Sequence, residues 1–252
     1  MEHITALALV VYGLVSFVTA IVSGIAGGGA GFINTPLLIL LGLSPAQAIA
    51  TGKLSGLAVA TSSLTGLQSV PIRSKKLVAG IMAMALVIGL VAPLIITNLN
   101  SELYQRLLGV LLLAMLPVMF FSKIGRTSKQ PSARSETVGY ILLAGTLFLQ
   151  AIFSAGMGTL VNIVLMACLG MSALEANVTK RYSQVVLNTV IVLGVLVVAA
   201  DTIVWPVALV GIVSAAAGGF IGGKLAIKKG DKFVLVVFSG LIFVSAIALL
   251  VG

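Results

Sequence analysis

Two stretches of the 252-residue chain place charged and polar side chains inside apolar surroundings: GLSPAQAIATGKLSG (42–56) and GMSALEANVTKRYSQ (170–184). Lys53 and Arg181 each sit about two helical turns into a long apolar run. A cation at the centre of a membrane helix costs about 2.5–3.5 kcal/mol on the mildest insertion scale. Each of the two therefore either snorkels to an interface or holds something negative. Thr51 and Ser55 accompany the first cation, and Thr179, Ser183 and Gln184 the second. Small hydroxyls in such helices either back-bond to carbonyls or line a polar path. Asn34 and Asn162 lie in the preceding apolar runs; an amide can donate to an anion, ligate a cation through its oxygen, or join helices by a hydrogen bond. The chemistry open to this set is reversible binding of a small anion. Glu175, six positions before Arg181, is the acid nearest the set. It is either a proton-coupling carboxylate or the cap of its helix.

Other chemistries find no support. With one histidine (His3) and one cysteine (Cys168) there is no zinc or haem ligand set and no internal disulfide. Lys53 in ATGKLSG lacks the upstream glycine spacing of a phosphate-binding loop. No carboxylate pair falls within one segment, so the chain is not expected to be an enzyme, and no resident cofactor is expected.

The elements that position these residues follow from composition. The chain is 60% hydrophobic and 8% charged, with mean hydropathy +1.23; soluble domains carry about 25% charged residues. This is an all-α, polytopic membrane protein whose first partner is the bilayer. A spanning helix needs about 20 apolar residues. Ten apolar segments are legible: 4–23, 28–43, 46–70, 77–97, 103–121, 137–153, 157–171, 174–200, 203–222 and 233–251. The second and seventh are short and are expected to be tilted, broken or re-entrant, which leaves eight to ten spans. The N-terminus lacks a basic region before its apolar stretch, so a retained first helix is expected rather than a cleaved signal. The net charge of +9 is not a nucleic-acid signal here. The basic residues collect in PIRSKK (71–76), SKIGRTSKQPSAR (122–134) and KLAIKKGDK (224–232), whereas NLNSE (98–102) and the turn at Asp201 carry only acid. Basic loops mark the cytoplasmic side, which puts the N-terminus outside.

The two polar stretches are also copies of one another. At a constant offset Gly42 matches Gly170, Ser44 Ser172, Thr51 Thr179, Ser55 Ser183 and Thr61 Thr189, while Lys53 falls on Arg181. Upstream, Gly28 falls on Gly156 and Asn34 on Asn162. The chain thus reads as a first transmembrane repeat (1–121), a basic linker (122–136) and a second repeat (137–252). Five segments per copy is an odd number, so the copies have inverted topology, a layout that puts binding sites near the midplane in secondary transporters. Were the short segments re-entrant, the copies would be parallel. SGIAGGGAGFINTPLLILLGL (23–43) adds a run of glycines to the first copy. Glycine costs about 1 kcal/mol per residue in a helix relative to alanine. Gly27, Gly28 and Gly29 therefore read either as a packing seam or as a helix break where backbone N–H groups approach a ligand.

SGIAGGGAGFINTPLLILLGLSPAQAIATGKLSG (23–56) and its degenerate copy SAGMGTLVNIVLMACLGMSALEANVTKRYSQ (154–184) resemble the TauE/SafE family of sulfite and organosulfur anion exporters. The resemblance covers essentially the whole chain. It implies secondary transport of a small anion such as sulfite, sulfoacetate, thiosulfate or a related sulfonate or carboxylate, with H+ or Na+ coupling or facilitated diffusion. The second copy departs from the first, having Gly156-Met157-Gly158 for the glycine triplet and Ala173 for Pro45, so the half-sites are unequal. The expected site is Lys53 and Arg181 as attracting charges, lined by Asn34, Asn162, Thr51, Thr179, Ser55, Ser183 and Gln184. The expected location is the inner membrane of a prokaryote, with a homo-oligomer compatible. An anion channel and a non-transporting membrane scaffold are the rival classes.

Overall fold

The protein is described from a computed structural model covering residues 5–98, 100, 102–104, 106–107, 110, 133–153 and 157–251. Among these residues there are helices and turns and no strand. Most of the fifth expected segment, most of the linker, Gly156 and His3 lie outside the described residues. The helices are α1 (Ala6–Ala26), α2 (Ala30–Leu40), α3 (Pro45–Gly66), α4 (Lys75–Thr97), α5 (Ala133–Phe153), α6 (Met157–Leu169), α7 (Ala173–Val198) and α8 (Trp205–Val251). A 3-10 turn at Ala200–Thr202 joins the last two, and α8 is broken at Gly230 (φ 78°, ψ 180°). Within the described residues five helices (α1, α4, α5, α7 and α8) are long and apolar enough to cross a bilayer. α5 begins at Ala133, inside the stretch expected to be linker.

Local chemistry explains the helix ends. Ser44 and Gln47 form a reciprocal capping box with Pro45 in the first turn of α3, and Ser172 and Glu175 form the same box on α7. The glycine run is a helix break: Gly27 ends α1 in the left-handed conformation (φ 77°), and Gly29 (φ 100°) precedes α2. Only glycine takes such angles without strain.

The break folds α1 and α2 into a hairpin. Leu38, near the end of α2, packs with Tyr12 of α1, and Leu43 and Ala48 join the same cluster. So α3 starts at the end of the bundle where α1 started. α5 and α6 form a second hairpin, with Gly139 against Cys168 and Leu169 and with Ser135 Oγ donating to the Cys168 carbonyl at 3.0 Å. Arg73, just past the end of α3, donates to the Leu169 and Gly170 carbonyls at the open end of this second hairpin. The two hairpins therefore enter from opposite ends of α3. Their tips meet: a Cβ on Gly28 would lie 3.0 Å from the Thr159 nitrogen and 3.1 Å from the Gly158 carbonyl carbon.

Around the hairpins, α8 runs parallel to α1 and α3 through two glycine seams. Gly24 opposes Gly222, and Gly66 opposes Gly223, with would-be Cβ atoms about 3 Å from backbone. On the other side α4 runs parallel to α7, with Gly89 on Val190 and Pro93 on Gly194. Close backbone approach through small residues is how membrane helices associate when hydrophobic burial cannot drive them together.

Candidate functional site

α1 ends inside the bundle, where the Ser23 carbonyl accepts from the Gly27 nitrogen at 2.7 Å and the Gly24, Ile25 and Ala26 carbonyls lie past the last intrahelical donor. The second half of the chain supplies the donors. Asn177 Nδ2 donates to the Gly24 and Ile25 carbonyls, each at 3.0 Å, and Asn162 Nδ2 to the Ala26 carbonyl at 2.9 Å. Arg181 donates to the Ser23 carbonyl and, at 3.2 Å, to Ser23 Oγ, and Lys180 Nζ donates to the Gly27 carbonyl. Cations at a helix C-terminus are stabilised by the partial negative charge of its carbonyls. The first half reciprocates with one contact: Lys53 Nζ donates to the Gln150 carbonyl at 2.8 Å. Gln150 lies three residues before the end of α5 and Ser23 three before the end of α1. Lys53 and Arg181 thus each hold the opposite hairpin three residues before its first helix ends.

Beside the tips lies a cavity with about 80 Å³ open to the centre of a water molecule. One water needs about 10–15 Å³ on that measure, so the space suits several waters or a compact anion. Lys53 and Lys180 both line it. Gly28, Gly29 and Gly31 border it where α2 begins, and no side chain caps that helix. Its first-turn N–H groups are therefore free to meet an anion. Gly158 brings the start of α6 to the same wall. The remaining polar lining comes from Tyr12, Ser23, Ser55, Asn34, Thr35, Gln150, Gln184 and Asn188. No carboxylate is among the lining residues.

The expected site residues separate into two groups. Lys53, Ser55, Asn34, Gln184, Gly28 and Gly29 are brought together on the cavity. Arg181, Asn162, Thr51, Thr179, Ser183 and Gly27 are not among its lining residues. Arg181 is spent on the end of α1, with Gln184 Oε1 and Asn177 Oδ1 accepting its other N–H groups at 3.0 and 3.3 Å. Asn162 caps Ala26, and Thr51 Oγ1 accepts from the Val204 nitrogen at 3.1 Å. Ser183 Oγ back-bonds to the Lys180 carbonyl at 2.8 Å. Glu175 accepts from the Ser172 nitrogen at 2.9 Å as the helix cap of α7 and does not line the cavity.

Lys180, Gln150, Asn177, Asn188 and Tyr12 are additions to the expected set. A signal for each was present, since all are polar groups within apolar runs. Copy matching hid most of them, because Lys180 falls on Gly52, Gln150 on Val22, Asn177 on Ile49 and Asn188 on Ala60.

Among known proteins, the chain is 25% identical over 226 residues to a protein of Haemophilus influenzae named "Probable membrane transporter protein", covering 87% of this chain and 86% of that one. It is also 25% identical over 228 residues to the "Probable membrane transporter protein YfcA" of Escherichia coli K12, covering 87% and 81%. No solved structure gives a significant match. The family profile described as "Sulfite exporter TauE/SafE" matches residues 12–249. That span takes in both hairpins, the three buried cations and the cavity between them, and the chain belongs to the TauE/SafE family of membrane transporters.

Proposed function

We propose that the protein is a secondary transporter that exports a small anion, such as sulfite, sulfoacetate or another organosulfonate or carboxylate, across the inner membrane. One observation carries the reading: two buried lysines border a single small cavity that has no carboxylate in its lining. A buried charge without a counter-charge costs several kcal/mol, and a bound anion supplies that counter-charge. The uncapped start of α2 adds the partial positive end of a helix. Lys53 and Lys180 are the anion-holding charges in this reading, with Ser55, Asn34, Gln184 and Asn188 as neutral partners. Arg181 holds the first hairpin in place.

The bundle is a pair of inverted five-segment repeats, 1–121 and 137–252, joined by the linker 122–136. Reciprocal packing supports this. α1 lies on α8 and α4 on α5; α3 lies on α8 and α4 on α7; α3 meets α7. Each contact type has its counterpart with the halves exchanged, and the hairpins enter from opposite ends. Secondary transporters with inverted repeats place the site at the repeat interface, with half-helix N-termini aimed at anions.

A thermal-shift screen of purified protein against sulfite, thiosulfate, sulfoacetate, isethionate, taurine and lactate tests the binding claim. A ligand at 100 times its Kd stabilises the folded state by about 2.7 kcal/mol. A shift with at least one of these anions that is lost in Lys53→Gln is the expected result; no shift with any of them removes the reading. Reconstituted flux separates the rivals, since a channel conducts without saturable exchange and a scaffold carries no flux.

A further inference from the structure

Lys53, Lys180 and Arg181 are each at most 3% exposed at the centre of the bundle. The acids stand away from them. Glu102, Glu136 and Asp201 are exposed, Glu175 caps α7, Asp231 accepts from the Leu174 nitrogen, and Glu2 lies outside the described residues. What accepts from the two lysines is backbone at the ends of α1 and α5, and Arg181 divides between the end of α1 and the neutral Ser23, Asn177 and Gln184 side chains. A helix C-terminus carries about half a negative charge, so two ends offset about one of the three positive charges. The starts of α2 and α6 enter the same region and return about as much positive charge. With all three side chains protonated, the centre keeps most of that positive charge until an anion enters.

That charge bears on how the site changes sides. Lys53 borders the cavity while holding the end of one hairpin, and Lys180 borders it while holding the end of the other. An anion between them is tied to both tips at once. A carrier loaded in this way closes around an offset charge; an empty one must close around unpaired cations in a low-dielectric interior, where charge is most costly. Resting on the anion-site reading above, we propose that the protein is an anion exchanger: its site changes sides only when occupied, so export of one anion is coupled to import of another.

Efflux from liposomes containing the purified full chain tests this, with the membrane potential clamped to zero by potassium and valinomycin. Radiolabelled sulfite is loaded inside, with thiosulfate, sulfoacetate and lactate run in parallel. The outside holds either the same anion or gluconate as the control anion. The expected result is efflux faster by about tenfold or more with the transported anion outside, the rate equivalent of about 1.4 kcal/mol in barrier. Equal efflux into both media overturns exchange while leaving anion transport intact. No flux of any of the four in either medium overturns the transport reading itself, and exchange with it. Lys180→Gln, which removes one charge from the centre, is expected to lower the ratio of exchange to net efflux several-fold even where absolute rates fall. An unchanged ratio in a folded variant contradicts the inference.

Discussion

At the residue scale, three buried cations divide between two tasks. Arg181 makes charged hydrogen bonds to the end of α1 and to Gln184, and charged hydrogen bonds contribute about 1.5–3 kcal/mol each. Arg181→Met is therefore expected to lower stability by about 3 kcal/mol or more, read from denaturant or thermal unfolding, because Ser23 and the Gln184 and Asn177 side-chain oxygens lose a charged donor together. Lys180→Met removes a single carbonyl contact and an unpaired charge. It should cost far less stability but shrink the anion-dependent thermal shift; an undiminished shift in that variant removes Lys180 from the site. Glu175 gives a prediction of the opposite kind. Gln47 occupies its place in the first copy and makes the same capping box, so Glu175→Gln is expected to change stability by less than about 0.5 kcal/mol, since either side chain completes the motif. Flux and its pH dependence should be unchanged in that variant. A lost pH dependence gives the carboxylate a coupling role instead.

At the element scale, the glycines do two different jobs that sequence alone could not separate. Gly27 and Gly29 break the chain between α1 and α2 at positive φ, while Gly24, Gly66, Gly222 and Gly223 let helices touch backbone to backbone. Gly222→Val would push a side chain into the Ile21 carbonyl and Gly24 Cα. Overpacking of this kind costs about 1–3 kcal/mol, and a loss of that size in unfolding measurements is expected; a neutral effect would contradict the seam. Most of the element order was legible in the sequence. Apolar run length marked the described helices, and the shortness of the second and seventh segments fits the hairpin returns. The cation pairing of Lys53 with Arg181 was legible too, but not the difference in their roles. That difference depends on Asn177 and Lys180, which have no polar counterpart in the first copy and face the end of α1 only once the hairpin is folded.

At the scale of the whole molecule, charge and topology agree. Six of the described basic residues, Arg73, Lys75, Lys76, Lys228, Lys229 and Lys232, lie at the end of the bundle where α3 finishes, and Asp201 lies at the other. In a Cys168→Ser background, Gln68→Cys and Lys228→Cys are expected to react with an impermeant thiol reagent only from the cytoplasmic side, and Asp201→Cys only from outside. Labelling of all three from one side contradicts the orientation. In the proposed site Lys53 and Lys180 together hold the transported anion. Its most direct test is saturable anion flux in liposomes for the unaltered protein and for the Lys53→Gln, Lys180→Gln double variant, with folding of both verified by thermal unfolding. Saturable flux is expected for the unaltered protein, falling by about 100-fold or more in the variant, equivalent to at least about 2.7 kcal/mol of lost stabilisation. A folded double variant that carries the anion as fast as the unaltered protein would contradict it.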